Sequence, residues 1–560
     1  MAEIGFCGGE KLSADHFYIF NILADGPRLE GAMRLTDSGI SQNRGFWEEK
    51  GYQLPQFSLA EVRENTRRSP SWLHFGAGNI FRAFPAAVLQ NLLDRGCWDK
   101  GVIVAEGFDY EIIEKAYRPY DNLSLLVLLK SDGSLEKKVI GSVTESLKAS
   151  PEFPADWSRL EEIFTQPSLQ MVSFTITEKG YGVLPGDLDR GLNPVSMMGK
   201  LARLMYRRFR AGQLPVTLQS MDNCSHNGDI LKNALLTYAK SWADQGLVEA
   251  EFTAYLEDDT KVSYPWSMID KITPRPNEQV QALLAGDGFE DHETILTQRG
   301  TYTAPFVNAE ETEYLVCEDR YTNGRPPLEQ GGVLFVDRET VDKTERMKVC
   351  TCLNPLHTAL AIFGCLLGHT LISAEMADED LRQLVTRMGY QEAMPVVTDP
   401  GVLNPEAFMD AVLTKRLPNP FMPDAPQRIA TDTSQKLPIR FGQTILAYRQ
   451  RQLPMEDLVL IPLVLAAYAR YLTGIDDFGE PFTPSSDPML SQLQSIVSGL
   501  EVKEGEQDFA CLKKLFSRAD VFGVDLYEAG LGNRIETMAA ELFAGPGAVR
   551  RTLHKYVAAI

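Results

Sequence analysis

Residues 71–83 read S-W-L-H-F-G-A-G-N-I-F-R-A, and this stretch decides how the first half of the chain is read. Trp72–Phe75 is a short apolar run that predicts a strand. Gly76-Ala77-Gly78 ends it, and the spacing from Ile80 through Leu93 predicts a helix. In that order the glycines carry meaning: Gly76 permits a tight turn, and Gly78 lets a pyrophosphate approach the amides at a helix N-terminus. Phe81 stands where a third glycine would complete G-x-G-x-x-G, so the fingerprint is partial. Asn79 and Arg82 extend this candidate cofactor set, with Arg82 as a cation for phosphate or substrate.

The elements downstream keep the same rhythm. Residues 101–106, G-V-I-V-A-E, predict a second strand. Either Glu106 or Asp109 then falls where a dinucleotide domain places the acid that bonds the ribose 2′-hydroxyl, a position that disfavours a 2′-phosphate and so favours NAD over NADP. Leu125–Leu129 and Lys138–Ile140 read as a hairpin about Ser131-Asp132-Gly133. Strand Met171–Thr177, helix Met197–Arg210 and strand Pro215–Gln219 follow. The last runs into S-M-D-N-C-S-H-N-G-D, which places Asp222 and Asn223 at a strand end, where open α/β sheets hold ligands. The alternation from Trp72 to about Lys240 predicts a doubly wound sheet. Residues 268–276 and 314–317 read as extended.

From residue 338 the texture becomes helical, with spacing or composition of that kind in nine stretches up to 556 and a loop at 475–487. The expected organisation is α/β. An N-terminal extension (1–45) precedes a Rossmann-type domain (46–337) and a mainly helical domain (338–560). Within the extension, the first 32 residues read as a loosely held segment or as an arm packed on the body, and Met33 is a second candidate start.

Composition narrows the function. The 560 residues are 44% hydrophobic and 23% charged, with a net charge of -21. An acidic chain of this kind is a poor nucleic-acid or anionic-membrane binder, and an anionic substrate needs a local basic pocket. Eight cysteines show neither a paired framework nor the second ligand pair of a zinc site. The apolar run at 17–24 is too short to span a bilayer. A soluble, cytoplasmic protein with free thiols is the expectation.

Within residues 345–357, E-R-M-K-V-C-T-C-L-N-P-L-H, stand Lys348, Asn354 and His357, with Glu345 one helical turn ahead of the lysine. A lysine general base with two hydrogen-bond donors for an alkoxide is one reading. A solvated lysine, a helix cap and a packed imidazole is the other.

The order of six motifs resembles the long-chain mannitol dehydrogenase family, polyol-specific NAD-dependent dehydrogenases that include fructuronate and tagaturonate reductases. These motifs are G-A-G-N-I-F-R-A-F (76–84), T-I-T-E-K-G-Y (175–181), S-M-D-N-C-S-H-N-G (220–228), P-W-S-M-I-D-K-I-T-P (265–274), the Lys348/Asn354/His357 set and R-I-A-T-D-T-S-Q-K-L-P (428–438). The likeness covers roughly residues 45–550. It implies a metal-independent dehydrogenase with Lys348 as base, Asn354 and His357 at the substrate oxygen, and Glu345 gating proton release. It further implies substrate contacts from Asp222, Asn223, Arg428 and Lys436. The forms G-N-x-x-R-A-F and T-I-T-E-K-G-Y look closer to hexuronate reductases, so D-fructuronate/D-mannonate is the expected pair. Tagaturonate/altronate and mannitol/fructose are alternatives, and a non-catalytic NAD-binding sensor is the alternative of another class.

A base role near neutral pH requires burial to lower the ordinary lysine pKa of about 10.4. The family spacing K-x4-N is longer here by one residue, and Pro355 follows Asn354 at once. A π-turn can absorb such an insertion; the other solution is a break with Asn354 as N-cap and Pro355 at the first helical position. Gly182 stands near where mannitol-type members supply a substrate-binding asparagine.

Overall fold

The computed structural model describes residues Met33–Ala559, so the expectations for residues 1–32 lie outside the described residues. Six parallel strands form the central sheet, in the spatial order Val143–Lys148, Val102–Glu106, Trp72–Phe75, Met171–Phe174, Val216–Ser220, Val262–Ser263. Numbered along the chain this is 3-2-1-4-5-6, the Rossmann order, with its switch point between Trp72–Phe75 and Met171–Phe174.

Alternate residues of each strand feed two cores, as the pleat dictates. Leu73, Phe75, Val172 and Phe174 pack against the helices Pro154–Thr165, Met197–Arg210 and Asn227–Asp244 on one face. Trp72, Val102, Val104 and Met171 pack against Pro85–Asp94 on the other. The helix expected to run unbroken from Ile80 to Leu93 is two, Asn79–Ala83 and Pro85–Asp94, because Pro85 starts a new first turn.

The third strand, Val143–Lys148, is not predicted by sequence pattern, because V-T-E-S-L-K carries no continuous apolar run at this edge of the sheet. The Ser124–Leu129/Leu135–Ile140 hairpin lies outside the main sheet. It joins Tyr52–Gln53 and Phe306–Glu310 in a second sheet. A third, small sheet pairs Ser267–Asp270 antiparallel with Tyr314–Glu318, which pairs parallel with Leu334–Val336.

Residues 33–45 of the expected extension belong to the folded body. Met33 exchanges backbone hydrogen bonds with Gly288 and Glu290, and Met33 and Leu35 are buried. Thr36 then caps the helix Asp37–Glu49 by accepting the Gly39 N–H.

After Leu334–Val336 the regular elements of the described chain are all helices, apart from one isolated bridge. Its core is built around Leu460–Leu472, every residue of which is buried, so the helix is apolar all round. The run Arg338–Leu367 is long and apolar enough to cross a membrane, yet 78% of its most apolar window is buried inside the molecule. The expected single helical span 536–556 is two helices, Gly532–Leu542 and Ala548–Ala558, parted by Gly545-Pro546-Gly547.

The run through the candidate base resolves the spacing question with parts of both solutions. Arg338–Met347 is α-helical, Lys348–Cys352 is one π-turn, and Asn354–Leu367 is α-helical again. Leu353 N–H reaches back to Lys348 O at 3.1 Å, an i→i+5 bond that absorbs the additional residue. Pro355 lies in the first turn of the following helix, where its missing N–H has no helical acceptor to lose. Leu353 rather than Asn354 is the N-cap residue, which leaves the Asn354 side chain without a capping duty.

Candidate active site

The glycine turn has the form its residues suggest. Gly76 takes φ +108°, and a Cβ there would run into the Thr175 carbonyl oxygen, so only glycine fits. Gly78 is the N-cap of Asn79–Ala83, and a Cβ on it would project into open space at the strand end. That open cradle beside free helix amides fits a dinucleotide pyrophosphate.

The acids and the arginine nearby face inward. Glu106 accepts the N–H groups of Ala77 (2.9 Å), Phe108 (2.8 Å) and Asp109 (3.2 Å), bracing the turn from beneath. Burial pushes its carboxyl above the usual range, against the pull of those three bonds. Asp109 is buried and accepts from Thr297 Oγ1 at 2.6 Å. Neither acid therefore stands free at the strand end. Arg82, expected as a cation for phosphate or substrate, is wholly buried. It donates to Ala304 O at 2.6 Å, Asn79 Oδ1 at 2.8 Å and Thr303 Oγ1 at 3.0 Å, tying the helix start to the neighbouring chain. Both terminal nitrogens are engaged by these acceptors, and Nε is buried without a partner among the described residues.

A cavity of about 300 Å³ is lined from both halves of the molecule. Lys348, Asn354 and His357 come from the helical run; Asp222, Asn223, Asp270 and Lys271 come from strand ends. Lys348 is buried, and its Nζ donates to Asn223 Oδ1 at 3.1 Å and to Ile269 O at 3.0 Å. Asp270 Oδ1, at 3.2 Å, compensates its charge. Asp270 lies in P-W-S-M-I-D-K-I-T-P, where local pattern assigns it no role. Its signal there was a lone acid ending an apolar strand.

Burial alone would raise the Asp270 carboxyl. The Lys348 and Arg416 cations outweigh it and hold the group below the usual range. His357 is pushed down to about 4, chiefly by burial, with Asp424 opposing. The imidazole is neutral near pH 7. Its Nε2 has no hydrogen-bond partner among the described residues and lies 3.7 Å from Asp424 Oδ2, an orphaned polar atom on a cavity-lining side chain that suits a substrate oxygen.

The remaining sequence candidates fall at different distances from this centre. Asp222 lines the cavity, but its carboxylate accepts Ile176 N–H (2.8 Å), Thr177 N–H (3.0 Å) and Tyr181 O–H (2.6 Å). It shapes the wall, and Asn223 beside it makes the contact with Lys348. Glu345 accepts from Ser225 Oγ outside the cavity lining. Arg428 is paired with Asp424, and through it borders the cavity wall. Lys436 is not among the lining residues; its ammonium donates to the carbonyls of Ile429 and Thr431, and burial lowers it to about 8. Lys271, Arg416 and Asp424, which the sequence reading did not single out for this centre, line it directly.

Comparison with known proteins agrees with this architecture. Residues 70–330 match the Mannitol dehydrogenase Rossmann domain, and residues 340–542 match the Mannitol dehydrogenase C-terminal domain. A D-mannonate oxidoreductase of Thermotoga maritima is 51% identical over 539 residues, covering 94% of this chain and 99% of that protein. A Polyol:NADP oxidoreductase of Gluconobacter oxydans is 29% identical, covering 79% and 87%. The structure of Pseudomonas fluorescens mannitol 2-dehydrogenase in ternary complex with NAD and D-mannitol superposes with a TM-score of 0.67 at 25% identity, covering 93% of this chain and 99% of that one. With a Rossmann-ordered sheet, a helical second half and a lysine-centred cavity between them, the chain belongs to the mannitol dehydrogenase family.

Proposed function

We propose that this protein interconverts D-fructuronate and D-mannonate with NAD(H), in a soluble, cytoplasmic setting. The observation that carries the substrate assignment is the 51% identity to a D-mannonate oxidoreductase over nearly the whole of both chains. The cavity is compatible with a charged sugar. Its lining holds three acids (Asp222, Asp270, Asp424) and three cations (Lys271, Lys348, Arg416), a local balance in a chain of net charge -21. An added substrate carboxylate is tolerated there as it would not be over the acidic surface.

When bound, the nicotinamide supplies or accepts the hydride. Gly76 and Gly78 shape the turn that receives the pyrophosphate. In the direction of reduction, the Lys348 ammonium gives a proton to the substrate oxygen as the carbonyl carbon is reduced. Neutral His357 and the Asn354 amide donate hydrogen bonds to the same oxygen as its negative charge grows, a contribution of roughly 3 kcal/mol for a well-placed donor. In the reverse direction neutral Lys348 takes the hydroxyl proton. Glu345, held by Ser225, stands one turn from Lys348 as the exchange point with solvent. Arg428, with a side chain 62% exposed, can follow the substrate carboxylate from the Asp424 wall.

The test is NADH oxidation with D-fructuronate, D-tagaturonate, D-fructose and fructose 6-phosphate in parallel. The expected result is a kcat/KM for fructuronate at least tenfold above the others. Preference for fructose would assign a neutral polyol, and measurable NADH binding without oxidation of any of them would overturn the enzymatic reading.

A further inference from the structure

Behind the cavity, charged side chains form an unbroken row leading away from Lys348. Lys348 Nζ lies 3.2 Å from Asp270 Oδ1. Arg416 donates to both Asp270 oxygens, at 2.5 Å to Oδ2 and 3.0 Å to Oδ1, and from Nη2 to Glu310 Oε1 at 2.6 Å. All four side chains are 5% exposed or less. Glu310 ends the strand Phe306–Glu310 and is absent from the cavity lining. Its Oε1 also accepts the Ile272 N–H, at 2.6 Å, while Oε2 is buried without a partner among the described residues.

We propose that Glu310 is a positioning residue for the proton-carrying lysine: acting through Arg416 and Asp270, it sets how firmly the Lys348 ammonium is held and at what pH it exchanges its proton. The inference rests on the reading of Lys348 as the acid–base group. With every member ionised the row runs plus, minus, plus, minus and is neutral. If Glu310 is protonated, the row is neutral only when Lys348 has given up its proton. Uncompensated charge is costly at this depth, so the two ends exchange protons in opposite senses. Arg416 is a fixed cation and a rigid fork, which suits it to join the two acids. The groups that face Glu310 are Arg416, Asp270, Lys271 and the Tyr314 hydroxyl; the wider cavity adds His357, Asp424 and Asp222. Burial pushes the Glu310 carboxyl up to about 7, with Arg416 opposing, which places its titration where an enzyme assay can see it.

The experiment compares wild type, E310Q and E310D. In E310Q the row permanently lacks its far negative charge. The pH midpoint of kcat/KM for mannonate oxidation should fall by about one pH unit, roughly a tenfold gain in kcat/KM below the midpoint. NADH affinity should hold, and E310D should return the midpoint toward wild type. An unmoved midpoint in a folded, NADH-binding E310Q overturns the proposal.

A reciprocal measurement covers the case in which E310Q does not fold. In K348M, with carbon-13 glutamate labelling and the Glu310 signal assigned by its loss in E310D, Glu310 should titrate at higher pH than in wild type, because coupling acts both ways. An unmoved Glu310 titration overturns the proposal even if K348M abolishes turnover. A moved titration together with full turnover in K348M supports the coupling and overturns instead the acid–base reading of Lys348.

Discussion

Asp270 and Lys348 face each other at 3.2 Å with both side chains 5% exposed, one at a strand end of the first half of the chain and the other at the start of the π-turn in the second. The pair therefore joins the two halves at the chemical centre. Replacing Asp270 by Asn leaves Lys348 and Arg416 without their shared counter-charge in a buried setting. The expected loss is about 3–5 kcal/mol of stability, the usual result of removing one partner of a buried ion pair. Urea unfolding measures it, and an unchanged midpoint would count against the pair as a structural tie.

Lys348→Ala should lower turnover about 10²–10⁴-fold, the usual contribution of a positioned acid–base group. NADH binding, measured by fluorescence, should change little because the glycine turn is not part of the cavity lining around Lys348. Turnover within threefold of wild type would remove it from the acid–base role.

The two glycines separate folding from cofactor binding. Gly76→Ala forces a Cβ against Thr175 O at a positive φ, so it should destabilise the domain by more than about 1 kcal/mol. Gly78→Ala meets open space in the unliganded protein and should keep the thermal midpoint within a few degrees. It should weaken NADH binding at least tenfold by filling the place of a phosphate, and a variant that binds NADH normally would move the pyrophosphate elsewhere.

Glu375 provides a pH signature away from the active site. It is fully buried, and neither carboxyl oxygen has a hydrogen-bond partner among the described residues. Burial raises its pKa well above the ordinary carboxylate range, with Asp378 adding to the effect. The folded state therefore holds this proton more tightly than the unfolded chain does. The resulting stability is complete below the unfolded value of about 4.3 and is lost as pH rises toward the folded value. Glu375→Gln removes the titration, so its stability relative to wild type should improve between pH 5 and pH 8. Parallel pH dependences in urea unfolding would argue that the group ionises in place.

Much of this was legible locally. The strand, glycine turn and helix start of 71–83 follow from short-range patterns, and so does the change to helix after residue 338. The weakly patterned edge strand Val143–Lys148 and the separate sheet of the 124–140 hairpin were not legible. An edge strand need not carry an apolar run, and a hairpin reads the same whichever sheet it joins.

The candidate site divides in the same way. Lys348, Asn354 and His357 lie within ten residues of one another, and the sequence by itself determined their closeness along the chain and the one additional residue between lysine and carboxamide. Only the tertiary structure decided how that insertion is absorbed, that Leu353 rather than Asn354 is the N-cap, and which charges meet the lysine. Asp270 and Glu310 reach Arg416 across 146 and 106 residues of chain. Backbone propensity acts over a few neighbours and leaves its periodicity in the sequence. A buried ion pair exists because the fold brings two distant charges out of water together, and an acid ending a strand looks the same in sequence whether water or an arginine awaits it.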